Sequence, residues 1–394
     1  MQKLRICHVT ALPSRDARGP VGGVGTYSLA LLEMLRAGPL ELSAVCNADA
    51  APPPFDLQVV PAWHFGSPLY PRDVTRAVAH LRPDVVHVQQ ELFLYGPGPI
   101  ALLFPGLIAR LRRRHRVVVT VHGVTTQREI DASLMRGRRS PIPLPLVRGA
   151  IVGIFRAIAR SGADLVVHGD VLKERLVTLG APSERVTVIA HPLFATAAAE
   201  QTRAQARAAL GLDPGKPIAL TWGFWNGYKG LDELVRGFER FAQRHPGALL
   251  LLGTGPHPQL RHDRAYTAAY QAAMSALSSH SGVRHVGFID DAALPQFVRA
   301  ADVSIFAYTK YLAASGPATY ALTLESPVLL SSVFPGVAPA LRFEPSPDGV
   351  DAALERFFAD PEPARAAAKA LRDSASAQTL LEQYVDLYGR VAAE

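Results

Sequence analysis

The feature that most restricts what this chain can fold into is a rhythm. Short β-branched runs alternate with helical stretches, and the series runs twice. In the first half, Leu4 to Thr10, Val85 to Val88, Val117 to Val121, Leu165 to Val167 and Val186 to Ile189 read as buried strands. A helix from about Thr26 to Ala37 follows the first of them. In the second half the strand candidates are Ile218 to Trp222, Ala248 to Leu252, Val283 to Val286, Val303 to Phe306 and Val328 to Leu330. Strand, loop, helix, strand implies a parallel, doubly wound sheet. A helical stretch, Ala195 to Leu210, and the loop Asp213-Pro214-Gly215-Lys216-Pro217 separate the two series. The expectation is an α/β protein of two Rossmann-like doubly wound parallel-sheet domains facing a cleft, 1–195 and 196–374. At 394 residues the chain is long enough for two cores. Ligands of such sheets bind beyond the carboxyl ends of the strands, so the loops after strands are where chemistry is sought.

Composition narrows the class. Hydrophobic residues make up 48% and charged residues 19%, with no charge-rich or low-complexity tract, which argues for a folded globular protein. The two cysteines, Cys7 and Cys46, follow no metal spacing and make no disulfide framework, so a reducing cytoplasm is expected. The start lacks the apolar run of a signal peptide, and no uncharged apolar stretch reaches the length of a membrane span. The net charge of +7 is uneven: residues 110–160 hold 12 Arg against Glu129 and Asp131. Arg112-Arg113-Arg114-His115-Arg116 and Arg136-Gly137-Arg138-Arg139 flank apolar runs, a mixture suited to an anionic membrane surface or a phosphate-bearing acceptor, or to a solvated surface. Peripheral attachment to the inner face of the cell membrane is therefore an expectation. Nucleic acid is not, because no groove-reading module or aromatic-interleaved basic stripe is present.

Three loops carry the chemistry. Gly22-Gly23-Val24-Gly25-Thr26 precedes a helix, where glycines let the backbone approach an anion and the helix N-terminus supplies free N–H groups. It does not match the dinucleotide fingerprint, since counting from Gly23 the sixth position is Ser28. Gly223-Phe224-Trp225-Asn226-Gly227-Tyr228-Lys229-Gly230 follows a strand and opens the helix Leu231 to Gln243, which aims a compact charge at the strand ends and suits a diphosphate. Ala313-Ala314-Ser315-Gly316-Pro317 lies between strand and helix, and serves either as a second phosphate loop or as a plain Ser N-cap.

In this order and at these separations the loops resemble the retaining glycosyltransferases of the GT-B fold, family 4 and its mannosyltransferase-like members. The resemblance also takes in Arg82-Pro83-Asp84-Val85-Val86-His87-Val88-Gln89-Gln90-Glu91, Thr120-Val121-His122-Gly123, Val188-Ile189-Ala190-His191-Pro192 and Val286-Gly287-Phe288-Ile289. It implies donor contacts from Gly22, Gly23, Gly25, Gly223, Lys229, Phe288, Ile289, Ser315, Gly316 and Pro317. It places His122 near the transferred sugar as a catalytic residue beside Lys229, Phe288-Ile289 at the nucleobase, and Gln89 and Glu91 toward the acceptor. His87 and His191 read as structural. The amphipathic stretch Thr379 to Tyr388, within a helix of about 375–394, would cross back to the first domain. Two glutamates eight positions apart are usual in the family, and Leu312 and Tyr320 stand in their places. Phe224, Trp225 and Asn226 occupy the region of the usual second cation.

The function implied is transfer of a hexosyl group from a nucleoside diphosphate sugar to a hydroxyl of a glycan, lipid-linked or small-molecule acceptor, with retention. No metal or other cofactor is expected, because no Asp-x-Asp stands on a loop and Asp290-Asp291 reads as a surface turn. The competing reading is a catalytically degenerate nucleotide-sugar-binding homologue that supports a partner transferase, favoured by the joint loss of the glutamates and the cation. A nicotinamide-dependent dehydrogenase is disfavoured by the failed glycine fingerprint.

Overall fold

The computed structural model describes residues 3–15, 22–130, 142–193, 201–257, 260 and 263–394. The first series gives β1 (Leu4–Val9), α1 (Gly22–Leu35), β2 (Leu40–Asn47), β3 (Gln58–Trp63), α2 (Tyr70–Leu81) and β4 (Val85–Gln90). It continues with α3 (Phe104–Arg112), β5 (Arg116–Val121), α4 (Leu144–Ala159), β6 (Asp164–Val167), α5 (Asp170–Thr178) and β7 (Val186–Val188). These strands form one parallel sheet in the order β3-β2-β1-β4-β5-β6-β7. The near-continuous burial of β4, β5 and β6 follows from helices covering both faces.

The second series begins with α6 (Arg203–Ala209), β8 (Ile218–Phe224), α7 (Leu231–Arg244), β9 (Leu249–Gly255), α8 (Arg264–Ser278) and β10 (Val283–His285). Then come α9 (Leu294–Ala300), β11 (Val303–Phe306), α10 (Gly316–Thr323), β12 (Val328–Ser331), β13 (Arg342–Phe343), α11 (Pro347–Ala359) and α12 (Glu362–Ser374). Its sheet is also parallel, in the order β10-β9-β8-β11-β12-β13. Crossing from the first sheet to the second therefore falls between Val188 and Ile218.

Several boundaries differ from the sequence reading. The helix expected from Thr26 begins at Gly22, so Gly22 to Gly25 form its first turn rather than a turn before it. Strands β2, β3 and β13 were not expected; polar and proline interruptions such as Glu41, Ser43 and Pro61 hide their periodicity. The helix expected over Ala195 to Leu210 is described only from Arg203, where Thr202 and Gln205 make a reciprocal capping box; residues 194–200 lie outside the described residues.

The last helix, α13 (Ala377–Ala393), lays Leu380, Tyr384, Leu387, Tyr388 and Val391 against Ile6, Tyr27, Val85, Val118 and Val166 of the first domain. Two of its phenols fix it further. Tyr384 Oη lies 3.1 Å from Tyr27 Oη, and Tyr388 Oη lies 2.7 Å from His87 Nδ1. His87 Nε2 meets Thr120 Oγ1 at 2.7 Å, so both ring nitrogens of this fully buried histidine are engaged within the core. The first domain is thus completed by the last residues of the chain.

Candidate functional site

Strand β8 ends in Gly223-Phe224, and a short 3₁₀ turn, Gly227–Lys229, delivers Lys229 back beneath it. Gly230 makes that return possible. Its φ is 62°, and a Cβ there would lie 1.9 Å from Ala307 O, a clash no side chain escapes. Gly223 is also in the left-handed region, at φ 111°, and a Cβ on it would lie 2.5 Å from Lys229 Nζ and 3.1 Å from Pro317 Cγ. Gly223, Lys229 and Pro317 therefore converge on one point. Ser315 caps α10 there, accepting from Ala318 N at 3.2 Å while its hydroxyl lies 3.1 Å from Tyr308 Oη.

Lys229 is 8% exposed, and among the described residues its ammonium meets the Trp222 carbonyl at 3.5 Å and the face of Tyr308 at 5.6 Å. Burial alone lowers its pKa to about 7. A carboxylate counter-charge would oppose that fall, and none contributes to it. The site presents a desolvated cation ringed by backbone, which is the electrostatic complement of a small, multiply charged anion.

At the edge of the same strand ends, Phe224 and Phe288 stack with centroids 5.3 Å apart and planes 1° apart. Phe288 is folded onto Gly255, where a Cβ would lie 2.6 Å from its own Cβ, yet it remains 52% exposed. Ile289 points inward, buried against Gly253, so only its main chain is available to a ligand. Gly23 and Gly316 have open space where a Cβ would stand, and Gly25 is buried within α1.

Across the cleft, His122 follows β5 and places Nε2 3.0 Å from Gln89 Oε1, which makes Nε2 the protonated nitrogen and the donor. Burial first, then the neighbouring His168, His191 and His87, hold its pKa well below the ordinary histidine value. It is a neutral imidazole at physiological pH. Tyr27 meets it edge-on at 4.5 Å, and His168 lies 5.2 Å away. His168 Nδ1 donates to Ile189 O at 2.9 Å, leaving its buried Nε2 as an acceptor without a partner. His191, read from sequence as structural, closes the same cluster at 5.3 Å from His168. Among the described residues no group of His, Cys, Asp or Glu has the geometry to hold a metal ion.

Gln89, expected toward the acceptor, is fully buried with Oε1 accepting from His122 Nε2, and its own Nε2 is unpaired. Glu91, by contrast, is exposed. Leu312 and Tyr320 bring no carboxylate. Burial first, and then the Asp291 charge, push the Tyr320 phenol up to about 12.

Two all-parallel sheets with a cleft between their carboxyl ends are the GT-B fold, and solved structures of that fold match the chain over nearly its whole length. Sucrose-phosphate synthase from Thermosynechococcus elongatus is 20% identical with a TM-score of 0.73, covering 99% of this chain and 100% of its own. HepE of Anabaena, solved in complex with UDP-glucose, is 14% identical with a TM-score of 0.67, covering 98% and 100%. The catalytic domain of starch synthase IV from Arabidopsis thaliana, bound to ADP and acarbose, is 13% identical with a TM-score of 0.66 and full coverage of both chains. Residues 22–192, which contain α1 to β7, match the family model described as Glycosyl transferase 4-like domain. No curated protein matches the sequence.

The state of Lys229 has a consequence for stability. Its pKa is about 7 when folded and about 10.4 when unfolded. Between those values the unfolded chain binds a proton that the folded chain does not, so this site makes stability rise with pH across that window. Urea titrations of wild type and Lys229→Met at pH 7 to 10 should show that rise flattened in the variant; identical slopes would refute the buried, unpaired ammonium.

Proposed function

We propose that the protein transfers a hexosyl group from a nucleoside diphosphate sugar to an acceptor hydroxyl with retention at the anomeric carbon. The observation that carries this reading is Lys229, a buried ammonium without a carboxylate partner among the described residues, at the point where Gly223, Ser315 and Pro317 converge. The GT-B fold and the family match over 22–192 support it, as do the UDP-glucose and ADP bound to two structural neighbours.

In this reading the donor diphosphate sits against Lys229 and the N–H groups at the start of α10, with Gly22, Gly23 and Gly25 of α1 offering a second helix N-terminus from the other domain. Phe288 offers its open ring face to the base, and Asp291 offers a carboxylate to the ribose. As the bond from the anomeric carbon to the phosphate oxygen breaks, negative charge grows on the leaving diphosphate, and Lys229 stabilises it. The acceptor oxygen bonds to the same carbon and its proton passes to a phosphate oxygen. His122, neutral and held by Gln89, donates to or accepts from a sugar hydroxyl without adding charge. His122 has histidines, Gln89 and Tyr27 around it rather than a carboxylate nucleophile, so no general base or nucleophile is assigned.

A second reading, a nucleotide-sugar-binding homologue that supports a partner transferase, is favoured by Leu312 and Tyr320 standing where carboxylates are expected. The sequence-based expectation of an anionic membrane surface stays a proposal, resting on exposed apolar residues and exposed arginines of the first domain. Exposed Leu69, Leu102, Ile142 and Leu146 lie near the starts of α2, α3 and α4, and Arg110, Arg112, Arg113 and Arg114 stand exposed at the end of α3 and just beyond it. Arg136 to Arg139 lie outside the described residues. No helix among the described residues is long and apolar enough to cross a membrane.

Incubating the purified chain with GDP-, UDP-, ADP- and dTDP-hexoses and following sugar release or transfer separates the two readings. Turnover with one donor, reduced about 100-fold or more in Lys229→Ala, is expected, with a raised donor KM in Asp291→Asn. Donor-dependent thermal stabilisation without turnover across the set would instead support the homologue reading. Vesicles containing anionic lipid should co-sediment the chain at low salt, and recovery only in the supernatant would remove the membrane expectation.

A further inference from the structure

The domains meet where the loop Tyr311 to Ser315 reaches the first domain, and one first-domain side chain grips it there. Arg175 of α5 donates from Nη1 to Val124 O at 2.6 Å and, across the boundary, to Tyr311 O at 2.9 Å. Its Nη2 meets Glu129 Oε1 at 2.6 Å. The other Glu129 oxygen accepts from Thr126 N at 2.8 Å and Thr126 Oγ1 at 2.9 Å, which fixes the loop following β5. A single guanidinium, 17% exposed on its side chain, thus joins α5, the loop after β5 and the second domain. Charged hydrogen bonds with this little solvent are stronger than a surface ion pair.

The backbone repeats the connection. Gly123 and Ala313 form an antiparallel bridge, and Ala314 N donates to His122 O at 3.2 Å. A Cβ on Gly123 would lie 2.5 Å from Leu312 O, so the approach depends on the missing side chain. The loop held in this way runs directly into Ser315, the cap of α10. Leu312 gives it no carboxylate with which a sugar could hold it from within.

We propose that Arg175 is an interdomain positioning residue, holding the loop Tyr311 to Ser315 in the shape donor binding requires and so making donor affinity depend on closure of the two domains. The proposal rests on the nucleotide-sugar reading of the cleft. In an open form the loop loses the Tyr311, Ala313 and Ala314 contacts together. The fraction of molecules able to bind donor then falls, and the apparent affinity falls by the same factor. Saturating donor restores closure, so the loss appears in KM rather than in kcat.

Two full-length variants test this, read by small-angle scattering without ligand and by steady-state kinetics. Arg175→Ala removes the grip. It also frees Glu129 inside the first domain, so Gly123→Ala supplies an independent reading. The three nearest atoms to its added Cβ all belong to Leu312 and Ala313 of the second domain, and its φ lies outside the left-handed region. Both variants should show a larger radius of gyration and a donor KM raised about tenfold, with kcat within about twofold of wild type. Wild-type dimensions together with wild-type donor KM in Gly123→Ala overturn the proposal. If the wild-type chain turns over no donor at all, the nucleotide-sugar reading fails. Scattering still decides the interdomain grip, and no expansion in either variant sinks it.

Discussion

Burial of the Lys229 ammonium without a counter-charge is the constraint around which the second domain's cleft is organised. An isolated charge away from water is costly, and the usual protein answer is to pair it with a carboxylate or to let it lose its proton. Here the second happens in part, with the pKa drawn down to about 7 by desolvation. The surrounding chain is shaped to permit this. Gly230 turns sharply against Ala307 O, Gly223 leaves room for Nζ, and Tyr308 lies beneath the ammonium.

The first domain contributes rigidity and a neutral hydrogen-bonding surface. His122, His168 and His191 gather around Tyr27 beneath the cleft, and burial keeps them uncharged. The cluster is sealed behind by Tyr384 and Tyr388 of α13, whose hydroxyls reach Tyr27 and His87. Neutral histidines leave Lys229 without a competing cation from this cluster. The last helix of the chain is therefore part of what shapes the cleft, despite its distance in sequence.

Much of this was legible in the sequence, because periodicity reports burial directly. The strand Val303 to Phe306 was found to the residue, and Lys229 was placed correctly at the junction of a strand and a helix. Strands β2 and β3 escaped because Glu41, Ser43 and Pro61 interrupt their apolar pattern. At the site, spacing identified which loops follow strands but not which side chains point inward. The pattern of Gln89 does not reveal that it lies on a fully buried strand and pairs with His122. Asp291 read only as part of a surface turn, and Arg175 carried no local signal. Their partners, Tyr320 and Tyr311, lie far along the chain or in the other domain, and only tertiary structure creates those pairs.

The central claim is that Lys229 is an unpaired buried cation awaiting a diphosphate, and nitrogen NMR of selectively labelled lysine tests it most directly. Without ligand, one lysine Nζ absent from Lys229→Met should titrate near pH 7, and addition of the matching nucleoside diphosphate should keep it charged well above that pH. A Lys229 resonance that titrates in the ordinary lysine range without ligand, or one that ignores every nucleoside diphosphate, would contradict the account.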